Sequence, residues 1–240
     1  MGRSTRCRRR ADLDAGVFEH RCPIGGEELQ WCTVGEDSPL RPRSLYAASK
    51  TAQEHYALAW ADAVCGSVIA LRYHNVYGPH MPRDTPYSGV AAIFRSALEN
   101  GTIPNIYEDG GQMRDFVHVD DVAAANVAAV ESDIGGFGAF NVCSGHPIDI
   151  GDVAGLLCAA RGAQPPVVTG QHRNGDVRHI VADPARAAEN SDSPHRSTRG
   201  RGCVTSRLRP CELDLTSTAS CNPGGYLQIE VALGCAGPHR

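Results

Sequence analysis

The chain has 240 residues, 42% of them hydrophobic and 21% charged, with a formal net charge of -4. That balance offers no broad basic surface for nucleic acid, and no run of about 18 apolar residues is present to cross a membrane. The basic opening from Arg3 to Arg10 is followed by no apolar stretch, so it is not a secretory signal, and the cytoplasm is the expected compartment.

Residues 1–43 hold Pro23, Pro39, Pro42 and the Gly25-Gly26 pair with little periodicity, and an irregular segment is expected there. Order begins at Ser44. The alanine-rich stretch from Leu45 to Ala63 lacks Gly and Pro; Ser44 is placed to cap it and Gly66 to end it. Ser67 to Tyr73 is a short apolar run with the pattern of a buried strand, broken by Asn75-Val76-Tyr77-Gly78-Pro79. Residues 80–88 form a polar loop. Ser88 to Asn100 is expected to be helical and closed by Gly101, with Ile103 to Tyr107 extended and Glu108 to Gly111 a turn. Asp115 to Val119 alternates as a strand, and Asp120 then caps a helix ending near Val130. Gly138 to Cys143 is a strand, Ile148 to Ile150 leads into a helix from Asp152 to Ala160, Pro166 to Val168 is a strand, and His179 to Asp183 is extended. Strands alternating with helices predict an α/β fold with a parallel sheet and crossover helices.

Ten cysteines invite a metal reading, but no Cys-x2-Cys pair occurs. Tetrahedral zinc usually draws on such close pairs, so no metal site is expected. Cys65, Cys143 and Cys158 sit in apolar contexts and suit a core. Of the 23 Lys and Arg residues only Lys50 is lysine. An ammonium is a compact point charge that a planar guanidinium cannot replace everywhere.

Tyr46 and Lys50 lie four apart on the expected helix, hence on one face. An ammonium beside a phenol favours the phenolate, which suits Tyr46 to exchange a proton with a sugar hydroxyl. The other reading of such a pair is an ordinary surface contact. Three further motifs follow in order: Leu71-Arg72-Tyr73-His74-Asn75-Val76-Tyr77-Gly78-Pro79, then Arg114-Asp115-Phe116-Val117-His118-Val119-Asp120-Asp121, then Arg173-Asn174-Gly175-Asp176. Two guanidiniums, Arg114 and Arg173, suit a diphosphate, since each offers a bidentate fork. The alternative for Arg114 is a solvated residue after the Gly110-Gly111 turn. His118 and Asp120 are expected to fix local structure.

Across residues 36–189 these motifs resemble the extended short-chain dehydrogenase/reductase family, in particular its NAD-dependent nucleotide-sugar epimerases and dehydratases. The resemblance implies an incomplete Rossmann-like parallel sheet with a small C-terminal substrate-binding lobe. It implies Tyr46 as acid/base, Lys50 as its partner on the cofactor ribose, and Tyr73 and His74 beside the nicotinamide, through backbone. It implies Asn75, Arg114, Arg173 and Asp176 as contacts of a UDP- or dTDP-sugar. Tyr87 or Ser88 would touch the base. The Tyr46 helix would serve homodimer packing.

The chain also departs from the family. The glycine-rich turn that lets backbone approach a dinucleotide pyrophosphate is not found ahead of Tyr46. The family's catalytic Ser or Thr has no clear counterpart. Around Arg21-Cys22-Pro23-Ile24-Gly25-Gly26 the chain resembles an insertion of some actinobacterial members. After Glu189 the family continues Leu-Gly-Phe, whereas this chain reads Asn190-Ser191-Asp192-Ser193, which a shifted frame can restore. Residues 1–43 are thus expected to be an irregular remnant of an N-terminally truncated enzyme. Residues 44–189 are its catalytic and substrate-binding part, and 190–240 a frameshifted or disordered tail. The expected activity is nucleotide-sugar 4-epimerisation or dehydration, silent in this isolated chain. The alternatives are a non-catalytic nucleotide-sugar-binding fragment and a decayed gene product.

Overall fold

The computed structural model describes residues 8–81, 89–173, 176–191 and 229–234. The segment expected to be irregular contains a short helix, α1 (Arg10–Asp14), which buries Leu13 and carries an Arg10–Asp14 ion pair one turn apart. The same segment threads into the body. Val34 N–H donates to Val181 O and Asp183 N–H to Val34 O, a short parallel pairing that proline and glycine content could not reveal.

Helix α2 (Leu45–Val64) starts where Ser44 Oγ accepts the Ala47 N–H at 3.1 Å, as the sequence led us to expect. Its end differs. Cys65, not glycine, takes the left-handed position at φ 51°, and Gly66 N–H closes on Ala61 O. The buried face of α2 is small, with Ala57 and Ala61 packing on Val68 of β1 (Ser67–Tyr73). Strand β1 is buried from Val68 to Leu71, the pattern of a strand covered on both faces. Strand β1 ends at Tyr73 as expected, and the motif that breaks it forms a second strand, β2 (Asn75–Tyr77), which pairs in another sheet.

Helix α3 (Val90–Glu99) has Gly89 at its N-cap position; Ser88, where the helix was expected to begin, lies outside the described residues. Strand β3 (Asn105–Ile106) and β4 (Met113–His118) follow, then α4 (Val119–Val130). The cap of α4 is His118, whose Nδ1 accepts the Asp120 N–H at 3.2 Å; Asp120 and Asp121 lie in the first turn, where negative charge suits the helix dipole. Strand β5 (Phe137–Val142) and β6 (Pro147–Asp149) precede α5 (Ile150–Ala160). There Asp149 Oδ1 caps through the Asp152 N–H, starting the helix two residues earlier than expected. Strand β7 (Val167–Val168), α6 (Ala185–Ser191) and β8 (Ile229–Gly234) complete the described elements.

The strands form three small sheets. In the first, ordered β5-β1-β8, β1 runs parallel to β5 and antiparallel to β8. In the second, ordered β2-β4-β6, β2 and β4 are parallel and β4 and β6 antiparallel; β3 and β7 form a parallel pair. The expected α/β class is present, and its parallel pairings are joined by antiparallel ones that a sequence of alternating helices and strands does not announce. Two apolar clusters organise the body. Ile69, Leu71, Val117, Val122 and Phe140 unite the first sheet with β4 and α4. Tyr77, Phe94, Ile106, Phe116, Ala154 and Leu157 unite the second sheet with α3 and α5.

Candidate active site

Tyr46 and Lys50 occupy the first two turns of α2. Lys50 Nζ stands 5.7 Å from the Tyr46 ring centroid and donates to Gln53 Oε1 at 3.4 Å. Both side chains therefore share one face. Tyr46 is 40% exposed, so a solute can reach its ring.

At the end of β1, Tyr73 is turned into the core, where its hydroxyl and the Asn126 amide exchange hydrogen bonds at 2.9 and 2.7 Å. Its hydroxyl is thus committed to the core, and its backbone lies opposite Val142 of β5. His74 N–H donates to Val142 O at 3.1 Å. Its Nδ1 is buried and has no hydrogen-bond partner among the described residues. Burial pushes the His74 imidazole below the ordinary histidine range, with the Asp115 and Glu36 charges working the other way. Asn75 stands in β2 opposite Phe116.

Arg114 lies in β4, between Ile148 of β6 and Ile180. Its Nη1 donates to Met113 O and Arg178 O, each at 2.8 Å, and its Nη2 to Val177 O at 2.9 Å. Desolvation lowers its affinity for the proton, while the charges of Asp176 and Glu108 restore part of it. Arg173 packs its guanidinium over the Tyr107 ring, 5.0 Å from the centroid. Asp176 N–H reaches back to Arg173 O at 3.4 Å, and Asp176 O accepts from Arg8 Nη2 at 2.9 Å.

The residues thus fall into two groups. Arg173 lines a cleft of about 460 Å³ with Leu13, Asp14, Tyr107, Gln171 and His172. A second cleft of about 480 Å³ is lined by Glu36, Asp37, Asp183 and Arg186. Tyr46 and Lys50 line neither. Arg114 meets the carbonyls of Val177 and Arg178, and Asp176 N–H that of Arg173, whereas Tyr46 and Lys50 lie on α2 and His74 directly follows β1. Tyr87, Ser88, Asn174 and Gly175 lie outside the described residues. Among the described residues no three His, Cys, Asp or Glu side chains converge as metal ligands, and Cys22, Cys32, Cys65, Cys143 and Cys158 are free thiols. Burial raises the Cys143 thiol to about 12, which makes it inert.

Sequence reasoning missed the ionic framework around these groups. Asp115, fully buried, accepts the N–H groups of Ser144 and Gly145 and fixes the β5–β6 turn. Glu36 Oε1 accepts the Asn141 N–H, which ties the early segment to β5. The buried Arg178 guanidinium is paired with Glu19 and Asp109 beside Arg114. The one signal available was the position of Arg178 two residues beyond the Arg173-Asn174-Gly175-Asp176 motif.

Residues 26–143 match the NAD dependent epimerase/dehydratase family. The chain is 42% identical to the dTDP-L-rhamnose 4-epimerase of Burkholderia thailandensis over 151 residues, which are 62% of this chain and 41% of that protein. The UDP-glucose 4-epimerase of Thermotoga maritima, solved with UDP-glucose, superposes with a TM-score of 0.61 at 32% identity; the match covers 68% of this chain and 52% of that one. The UDP-glucose 4-epimerase of Thermus thermophilus, solved with NAD, gives 0.56 at 30% identity, covering 81% and 64%. These neighbours share a Rossmann-like architecture with the sheet described above. The chain spans about half the length of the curated relatives it matches, between 41% and 57%.

Proposed function

We propose that this chain carries the acid/base and substrate-gripping part of an NAD-dependent nucleotide-sugar 4-epimerase or dehydratase acting on a UDP- or dTDP-hexose. The observation that carries the reading is the Lys50 ammonium poised above the Tyr46 ring on an accessible helix face. In this reading Tyr46 exchanges a proton with a sugar hydroxyl, and Lys50 favours the phenolate and holds the cofactor ribose. NAD, when bound, supplies the hydride acceptor. The residues present fit its nicotinamide end: an exposed phenol–ammonium pair on α2 and, at the close of β1, the unpartnered His74 Nδ1. Asn75, Arg114, Arg173 and Asp176 would contact the nucleotide sugar, with Arg114 and Arg173 on the diphosphate.

A second reading is nucleotide-sugar binding without catalysis. It is favoured by Arg114 meeting the carbonyls of Val177 and Arg178, which directly follow Asp176, with Tyr46 and Lys50 lining neither cleft. Titrating the full chain with NAD and with UDP-glucose by calorimetry separates the two. NAD binding that Lys50→Met weakens supports the enzyme. UDP-glucose binding alone supports the second reading, and binding of neither sinks both. Leu45, Tyr56 and Val64 on α2, at 92%, 77% and 54% exposure, would meet a second copy in a homodimer, which light scattering of the purified chain tests. No helix among the described residues is long and apolar enough to cross a membrane. The free thiols of the described cysteines suit a reducing compartment, so we place the protein in the cytoplasm.

A further inference from the structure

Arg178 is 2% exposed, yet its guanidinium is saturated. Nε donates to Glu19 Oε1 at 2.7 Å, Nη1 to Glu108 Oε2 at 2.9 Å and Asp109 Oδ1 at 2.7 Å, and Nη2 to Asp109 Oδ2 at 2.9 Å. Nη2 also stands 2.6 Å from Glu19 Oε1. Five N–H groups meet five contacts, so no donor is left for a ligand. Removing an ion from water is costly, and the fold recovers that cost only because each donor faces a carboxylate.

What this guanidinium holds is as telling as what holds it. Its three partners come from two segments far apart in the chain, residues 18–20 and 107–111. Its own backbone carbonyl, with that of Val177, grips the Arg114 guanidinium. The next residue, His179, accepts the Met113 N–H at Nδ1 and pairs with Glu19 at Nε2. Ile180 N–H then donates to Met113 O. Glu108 and Asp109 directly follow Tyr107, the ring on which Arg173 rests. At Gly111 a Cβ would lie 2.9 Å from Arg178 Nη2, so the guanidinium needs glycine there to close on the turn. Arg114 keeps its Nε–H and one Nη2–H without a hydrogen bond to any described residue.

We propose that Arg178 is a positioning residue: its carboxylate clamp fixes the 107–111 turn and the 176–180 segment so that the free donors of Arg114, and Arg173 on Tyr107, face one diphosphate. The diphosphate rests on the function proposed above; the positioning does not. Arg178 touches no substrate in this arrangement. It acts through the carbonyls of Val177 and Arg178 and through the turn that carries Tyr107.

The test uses the full chain, hydrogen–deuterium exchange and titration with UDP and with uridine. Arg178→Met is expected to speed amide exchange by about tenfold in residues 107–115 and 176–182 while β1 and β5 stay within about twofold. It is also expected to weaken UDP by about tenfold and leave uridine unchanged, with Arg178→Lys recovering part of the loss. Unchanged exchange in those two segments, or an equal rise throughout β1 and β5, overturns the proposal. If UDP binds the unaltered chain no better than uridine while the local rise persists, the positioning stands and the diphosphate reading falls. Should Arg178→Met not fold, Asp109→Asn removes one arm of the clamp at a half-exposed carboxylate; a rise confined to the same segments supports the proposal, and no rise overturns it.

Discussion

Arg72 of β1 and Glu54 of α2 form a two-point ion pair: Nε and Nη2 of the guanidinium donate to the two carboxylate oxygens at 2.8 and 2.7 Å. The side chains are 18% and 6% exposed, and Nη1 of Arg72 goes on to Glu36 O. Because α2 contributes little apolar area, this pair is a principal tie between the Tyr46 helix and the sheet. Arg72→Met would leave the Glu54 charge buried without its partner and is expected to cost about 3 kcal/mol. Glu54→Gln keeps a hydrogen-bond acceptor and should cost less. Urea unfolding measures both, and equal losses for the two variants would contradict the account.

Loss of the α2 cap has a different signature. Ser44→Ala removes the acceptor of the Ala47 N–H and is expected to destabilise by about 1 kcal/mol. Ser44→Gly should cost only a few tenths of that unit, and the order of the two variants in thermal melts is the check.

Tyr46→Phe removes a hydroxyl at a position 40% exposed, so stability should move by no more than about 0.5 kcal/mol. Under the proposed function, any conversion of UDP-galactose to UDP-glucose would fall by about a hundredfold or more, with NAD affinity little altered. Coupled assay and calorimetry on the same preparation test this. Undiminished conversion in the variant would remove Tyr46 from the acid/base role.

Gly110 adopts φ +85°, and a Cβ there would lie 3.2 Å from Ile106 Cγ2 and 3.3 Å from Gly151 Cα. The backbone contact cannot rotate away. Gly110→Ala is therefore expected to destabilise by about 1–3 kcal/mol. Gly135→Ala, where nothing lies within 4 Å of the added carbon, should be near neutral. Comparing the two by denaturant unfolding decides whether the turn or merely the residue type matters.

Stability should fall on acidification in two stages. Burial depresses His74, so the unfolded chain takes up its proton first, and the fold loses stability as pH drops through the ordinary histidine value of 6.5. Although burial raises both Glu19 and Asp109, hydrogen bonds from His179 and Arg178 outweigh it and hold these carboxylates below 4.5 and 3.8. Their stabilisation is complete above those values and disappears as pH falls through the lower folded ones. Thermal melts between pH 8 and 3 test both stages. The acid-side stage should shrink in Glu19→Gln, and the upper stage in His74→Gln.

Local order was legible because its causes are local. The Ser44 cap, the alanine helix, the apolar run of β1 and the facing of Tyr46 and Lys50 each depend on residues within a turn or two. Helix ends were less legible. Cys65, which is exposed, and His118 took cap positions usually given to Gly and Asp. The antiparallel β8 and the short strand β2 owe their existence to partners elsewhere in the chain.

By itself the sequence determined the resemblance to the epimerase/dehydratase family, the α/β class and the chemical types assembled: a phenol beside an ammonium, arginines suited to anions, and no close cysteine pairs. Only the tertiary structure decided which charges meet. Arg178 and Glu19 are 159 positions apart, and Glu36 and Asn141 are 105 apart. Their pairing depends on burial that forces each donor to find an acceptor, a requirement that folding imposes across the whole chain and that no short window of residues contains.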